Sequence, residues 1–283
     1  MSEFDRPDGN DPSLILRPHK PRLDELQRRW DHALPEVGAQ FGLSERESTP
    51  LMLQEVTFHA WMKEREKSPD SPLVIGIAGP GASGKGTVTE YLENTLGYPK
   101  IVNSTTRPRR EHIEVDGQHY HFLSEDEFEQ KRSADEFLTV TERPGRGSYA
   151  ISKSEVDAKL AGHAHGCVIE ENPLTLLQAL EVTKTEETDN PRLSALLYVL
   201  PNEPIMETLA MRLHGRSADH DANRKLTPED IESTLGDRQI EEFATLSLAA
   251  NYPDVNVVFL VNDDLDQTKQ KLDILFGIHK EME

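Results

Sequence analysis

The chain has 283 residues, 31 Lys plus Arg against 51 Asp plus Glu, and a formal charge of −20. A surface this acidic repels phosphate backbones and excludes general nucleic-acid binding, while leaving room for a local basic pocket around a small phosphorylated ligand. One cysteine, Cys167, excludes an internal disulfide, and no apolar run approaches the ~20 residues needed to cross a bilayer.

Residues 1–20 are polar, charged and rich in Pro, Asp and Gly, which predicts a disordered tail. They hold neither the basic start nor the apolar stretch of a signal peptide. With the lone cysteine, this points to the cytoplasm. Residues 21–70 read as a helical extension. Leu23, Leu26 and Trp30 fall at helical spacing. A second helix opens at Thr49-Pro50, an N-cap followed by proline, and carries Met52, Leu53, Val56 and Ala60. Residues 63–72 read as a linker. These helices are expected to dock on the main domain; the alternative is a protein partner that the sequence does not specify.

Beyond residue 71, strand-like and helix-like segments alternate, the pattern of an α/β fold. The clearest strands are Leu73–Ala78, Gly166–Glu170, residues 195–200 and Val255–Val261. Their continuous apolar character is that of strands buried on both faces of a parallel sheet. Ser124 with Glu127, and Ser152 with Glu155, have capping-box spacing, and Thr227-Pro228 offers a further N-cap.

Between the first strand and the helix after it lies GPGASGKGT, residues 79–87. Strand, glycine-rich turn and helix start is the layout of a phosphate-binding loop. Gly79, Gly81, Gly84 and Gly86 let successive N–H groups face an anion, and Ala82, Ser83 and Thr87 complete the candidate set. Lys85 adds a positive charge beside the β- and γ-phosphates of a nucleoside triphosphate. The hydroxyl position for Mg²⁺ after the lysine is taken by Gly86, with Thr87 one place later.

A second cluster follows in residues 104–122. Arg107, Arg109 and Arg110 stand out in so acidic a chain, and guanidinium groups suit bidentate binding of a phosphate. Tyr120 adds a hydroxyl donor. By itself this segment also fits a solvated basic turn paired with surface acids.

Together with the loop, the segment resembles the guanylate kinase family of P-loop nucleoside monophosphate kinases. TTRPRR, Glu114 and DGQHYHF are similar to that family's arginine and tyrosine motifs. Residues 126–138, 148–156, 206–216 and 261–266 continue the likeness in order. The resemblance implies a P-loop three-layer α/β fold over residues 71–283, with a central parallel sheet. A small β-rich acceptor-binding arm is expected at about residues 103–150 and a helical lid at about 209–233. It implies phosphoryl transfer from ATP to a nucleoside monophosphate, GMP or dGMP, with Mg²⁺ held through water near Thr87 or Glu170. Arg107 and Arg110 match the arginines that grip the acceptor phosphate, with Arg109 a rival for the second role. Tyr120 and Tyr149 match phosphate-binding tyrosines. Arg212 and Arg216 match lid arginines that approach the triphosphate. The position of a further lid arginine falls on Thr234, and Arg238, one turn later on the same side of a helix, is a candidate replacement.

Base recognition departs from the family. The carboxylate that reads guanine is replaced by Thr139, and a hydroxyl lacks its charge-assisted hydrogen bonds, worth on the order of 1.5–3 kcal/mol each. Asn103 replaces a serine and can donate to guanine O6. Glu170 and Asn172 stand where the family has two aspartates, and Ile151 replaces a hydroxyl residue. Glu142 is a substitute carboxylate, but its odd spacing from Thr139 turns it to the other strand face. Three readings therefore stay open. They are a guanylate kinase with altered base contacts, a kinase of another nucleotide or of ribose bisphosphate, and a catalytically silent binding module. His214 and His220 have no cysteine pair beside them and read as surface residues rather than zinc ligands.

Overall fold

The computed structural model describes residues 15–111, 114–143, 145, 147–162, 165–183, 192–220 and 226–277, the side chains of 216–220 excepted. The expected tail lies outside the described residues as far as residue 14. Beyond that the expectation is corrected. Leu16 is 5% exposed in the main core, and Arg17–His19 form a 3-10 turn.

In chain order the elements are α1 (Lys20–Gln40), α2 (Pro50–Lys67), β1 (Leu73–Ala78), α3 (Lys85–Asn94), β2 (Ser104–Thr105) and β3 (His121–Phe122). Then come α4 (Glu125–Ser133), β4 (Phe137–Arg143), β5 (Gly147–Ser152), α5 (Lys153–Gly162), β6 (Gly166–Glu170) and α6 (Pro173–Thr183). The last are β7 (Leu193–Leu200), α7 (Ile205–His220), α8 (Pro228–Leu235), α9 (Asp237–Ala244), β8 (Val255–Val261) and α10 (Leu265–Phe276).

The central sheet runs β6-β1-β7-β8, every pair parallel. Alternation along β1 explains the three layers. Val74 and Ala78 join the core that holds Leu176, Leu177 and Leu180 of α6. Leu73, Ile75 and Ile77 join the opposite core with Val88 and Leu92 of α3 and Leu272 of α10. Such strands have no polar face, which is why they read as unbroken apolar runs.

A second, smaller sheet, β3-β2-β5-β4, forms the arm beside the main sheet. Phe128, Phe137 and Ala150 give it its own small core. Ser124 caps α4 in a reciprocal box with Glu127, and Thr227 does the same for α8 with Asp230, as their spacing predicts. Ser152 bonds instead to Ser154, its hydroxyl 2.9 Å away.

The N-terminal helices pack on this frame at two places. Trp30 of α1 stacks on Phe243 of α9, with ring centres 4.4 Å apart. Arg22 of α1 reaches Glu232 and Asp237, at 2.8 and 3.0 Å. Helix α2 covers β8, the edge strand of the sheet. Its Thr57 hydroxyl accepts from Phe259 N at 3.1 Å, and Gln54 Oε1 accepts from Val261 N at 2.9 Å. The outward N–H groups of an edge strand otherwise invite another chain. Thr57→Val keeps the shape and removes the acceptor, so a buried N–H loses its partner. We expect a loss of about 1–3 kcal/mol in urea unfolding, whereas an unchanged midpoint would contradict this role. The expected linker is also shorter. Helix α2 continues to Lys67, because Arg65 donates to Ser68 O and Ser71 O, both at 3.1 Å, and closes its C-terminal turn. No described helix is long and apolar enough to cross a membrane.

Candidate active site

The phosphate loop leaves β1 at Ala78 and enters α3 at Lys85. Gly84 is left-handed, with φ 99°, and a Cβ there would sit 2.1 Å from Asn262 Nδ2. At Gly79, with φ 145°, a Cβ would meet Val199 O at 2.1 Å. Both positions therefore demand glycine. Gly86 differs, since an added Cβ would meet nothing within 4 Å. Ala82 adopts φ 62° without being glycine. Ser83 Oγ is buried with no hydrogen-bond partner among the described residues. Lys85 Nζ donates to Gly79 O at 2.7 Å and Pro80 O at 3.0 Å, so its charge lies within the loop. Gln239 of α9 accepts from Gly81 N at 3.1 Å.

Arg212 of α7 reaches the loop from behind. It donates to Ser83 O at 3.3 Å and to Asn262 O at 2.5 Å. Arg216 lies on the same helix, its side chain outside the described residues. Arg238 pairs with Glu242, 3.2 Å away and one turn on in α9. Burial raises the Glu242 carboxyl above the usual range, against the pull of Arg238, Arg143 and Lys85.

Glu170, at the end of β6, has Lys100 Nζ and Thr89 Oγ1 each 3.4 Å from Oε2. The hydroxyl beside this carboxylate is thus Thr89. Thr87, which the sequence pointed to, is exposed on α3.

On the arm, Arg107 and Glu114 form a bidentate pair at 3.0 and 2.7 Å. The Glu114 side chain is 8% exposed. The Arg107 guanidinium holds the Glu114 carboxyl down at about 2. Arg107 also lies 5.4 Å from the Tyr120 ring centre. Arg110, and not Arg109, lines this half of the cleft, together with Tyr120 and Tyr149.

The two halves are continuous. Gly79, Gly81, Lys85, Glu170 and Arg238 line one. Arg107, Arg110 and Tyr149 line the other. Tyr120, Arg143, Ser233 and Thr234 line both and form the join. A family model described as guanylate kinase matches residues 71–277. The chain belongs to the guanylate kinase family. Two relatives, each named guanylate kinase, bear it out. That of Bartonella quintana is 30% identical over 57% of this chain and 68% of its own length. That of Clostridium perfringens is 30% identical over 74% of this chain and 84% of its own. A crystal structure of guanylate kinase from Anaplasma phagocytophilum is 17% identical, covers 72% of this chain and 84% of its own, and has a TM-score of 0.44. The chain thus has the P-loop three-layer fold of guanylate kinases, with the parallel sheet and the β-rich arm described above.

Against the guanylate kinase pattern, the base-reading positions part from the phosphate positions. Thr139 Oγ1 and Asn103 Oδ1 are buried with no hydrogen-bond partner among the described residues. Asn103 Nδ2 donates to Glu170 O at 3.1 Å, so this amide turns its oxygen, not its nitrogen, away from the backbone. That differs from the expected donor. Ile151 is 1% exposed within the main core. Glu142 pairs with Arg132 at 3.0 Å on the far face of β4, as its spacing from Thr139 requires. Sequence reasoning missed Arg143, Glu171, Gln239 and Glu242. None belongs to a motif, and only tertiary packing brings them to the cleft.

Proposed function

We propose that the protein transfers the γ-phosphoryl group of ATP to the phosphate of a nucleoside monophosphate, GMP or dGMP. The products are ADP and the nucleoside diphosphate. The observation that carries this reading is the continuity of two half-sites in one cleft, with Lys85 in one and Arg107 and Arg110 in the other.

The residues suit these ligands. The left-handed loop residues Gly84 and Ala82 turn backbone amides toward the N-terminus of α3, where a triphosphate binds. In this reading Gly79, Gly81, Ala82, Ser83, Gly84, Lys85, Gly86 and Thr87 surround the phosphates. Lys85 exchanges its bonds to loop carbonyls for the β- and γ-phosphates. The Glu170 carboxylate, beside the Thr89 hydroxyl, fits a water shell around Mg²⁺. When bound there, that ion would supply charge neutralisation for the phosphates. Arg107, Arg110, Tyr120 and Tyr149 hold the acceptor phosphate in line, and Arg212, Arg216 and Arg238 approach from the lid side. Catalysis of this kind is alignment and charge neutralisation, so no strong base is required.

In this reading residues 21–70 are an extension that braces the lid and the sheet edge, and residues 71–283 are the catalytic domain. A small nucleotide in the cytoplasm suits the charge of −20 better than any nucleic acid. Thr139 in place of a carboxylate favours a second reading, a kinase of a different phosphorylated acceptor. ADP release with ATP, Mg²⁺ and a panel of nucleoside and sugar phosphates decides between them. We expect release with GMP and dGMP. Release with another acceptor alone would select the second reading, and neither release nor ATP binding would overturn both.

A further inference from the structure

Arg143 is a cleft cation outside every motif read from the sequence. It is the last residue of β4, opposite Gly147 at the turn end of the hairpin. Gly147 has φ 90°, and a Cβ there would lie 2.8 Å from Arg107 N. The hairpin end is therefore pressed against the turn that carries Arg107.

The Arg143 guanidinium lies over the Tyr149 ring, 4.4 Å from its centre. Its Nη2 donates to Glu171 Oε1, and the Glu171 side chain is only 6% exposed. The same oxygen accepts from Asn172 N at 3.0 Å and Asn172 Nδ2 at 3.1 Å. Glu171 N donates in turn to Ile77 O at 3.3 Å, in the strand that feeds the phosphate loop. Stacking fixes the plane of the guanidinium and the carboxylate fixes its rotation. A guanidinium carries five N–H donors, more than one carboxylate oxygen can engage.

Its position is the join. Arg143 lines the half that holds Gly79, Gly81 and Lys85, and also the half that holds Arg107 and Arg110. Thr234, where the family pattern places a lid arginine, lines the same join and brings no charge. Thr234 is also packed on the loop, because a Cβ at Gly81 would lie 2.3 Å from its Cγ2.

We infer that Arg143 is a catalytic residue that binds the phosphoryl group in transit, supplying from the arm the positive charge that Thr234 does not supply from the lid. This rests on the kinase reading above. In the step, an oxygen of the acceptor phosphate forms a bond to the γ-phosphorus. The bond from that phosphorus to the β–γ bridging oxygen breaks, and ADP leaves with the electron pair. Arg143 donates hydrogen bonds to non-bridging oxygens and exchanges no proton. Its charge is preorganised where negative charge spreads in the transition state.

The test compares Arg143→Met, Arg143→Lys, Glu171→Gln and the double variant Arg143→Met with Thr234→Arg. Steady-state turnover is measured with whichever acceptor releases ADP, ATP affinity by calorimetry, and folding by thermal melting. We expect Arg143→Met to lower kcat by roughly 10²-fold, with acceptor KM changing much less. Arg143→Lys should recover only part of that loss, because a point charge lacks the planar fork. Thr234→Arg should restore at least tenfold to the Arg143→Met protein. Glu171→Gln keeps the guanidinium and should lose far less than Arg143→Met. The inference is overturned by Arg143→Met turnover within twofold of wild type. It is equally overturned if Glu171→Gln reproduces the Arg143→Met loss, since the pair would then be only a brace between arm and sheet. If Arg143→Met fails to fold, the Arg143→Lys result decides: wild-type kcat overturns the inference, and a tenfold or greater loss in a protein of wild-type melting temperature supports it. A wild-type protein that releases ADP with no acceptor overturns the kinase reading instead. In that case a tenfold loss of ATP affinity in Arg143→Met would still place the charge on a phosphate, and no loss would remove it.

Discussion

Lys85→Ala should lower turnover on the order of 10²-fold or more while leaving the protein folded. The two consequences separate because of where Lys85 sits. It is the first residue of α3, and alanine is the best helix former, so the backbone has no reason to change. The carbonyls of Gly79 and Pro80 lose their ammonium partner, but Gly79 lines the open cleft and Pro80 O still accepts from Ser83 N at 3.3 Å. What disappears is the positive charge that the proposed function assigns to the β- and γ-phosphates. Steady-state kinetics with saturating ATP, beside a melting curve, measures both. Unchanged turnover would remove Lys85 from the mechanism.

Arg107→Ala should act twice, on the acceptor and on the fold. The guanidinium holds Glu114 in a bidentate pair, and the Glu114 side chain is 8% exposed. Removing Arg107 leaves a buried carboxylate without its cation, and such a change is costly because desolvation is no longer offset. Acceptor KM should rise by roughly 10-fold or more, the value of one or two charge-assisted bonds. The stability loss should depend on pH. With Arg107 present, its guanidinium holds the Glu114 carboxyl down at about 2, below the ordinary 4.5. A depressed carboxyl contributes stability that is fully present above 4.5 and is lost as pH falls through about 2. The melting-temperature gap between wild type and Arg107→Ala should therefore be largest near neutrality and shrink below pH 4.5. A gap that stays constant to pH 2, or that widens, would contradict the pairing.

How much of this was legible in the sequence depended on whether a signal was local. The strands Leu73–Ala78, Gly166–Glu170 and Val255–Val261 have the bounds their apolar runs suggest, because burial on both faces leaves no polar residue inside them. The strand expected at 195–200 begins two residues earlier, at Leu193. Ser124 and Thr227 cap helices as their spacing requires. The phosphate loop was legible because Gly79, Gly81 and Gly84, set between an apolar strand and a helix start, mark a turn whose backbone a side chain would obstruct. The paired strands Ser104–Thr105 and His121–Phe122 were not. Two residues carry no periodicity, and what creates them is pairing with a hairpin further along the chain. Nothing local marks Thr57, whose hydroxyl gains its second partner from the edge of β8. Nothing local marks Arg143 or Glu171 either, since neither falls in a spaced motif. Their meeting depends on the arm folding back onto the main sheet.

The same division runs through the site. Arg107, Arg110, Tyr120 and Tyr149 gather in one half-site, and Gly79, Gly81, Lys85, Glu170 and Arg238 in the other. Thr87 and Thr139 line neither half, and the neighbour of Glu170 is Thr89. The residues proposed for phosphate follow motif spacing, because a phosphate imposes one geometry on its ligands. Base contacts depend on the row of residues across the arm sheet, where Thr139 faces Ile151.

The central claim is that one cleft holds both anions at once. A compound joining adenosine and guanosine through five phosphates spans a donor and an acceptor in a single molecule. Titrated against the protein by calorimetry, it should bind at 1:1 and at least roughly 10²-fold tighter than ATP or GMP alone, and each should compete with it. Affinity no better than that of ATP, or displacement by only one of the two nucleotides, would contradict the account.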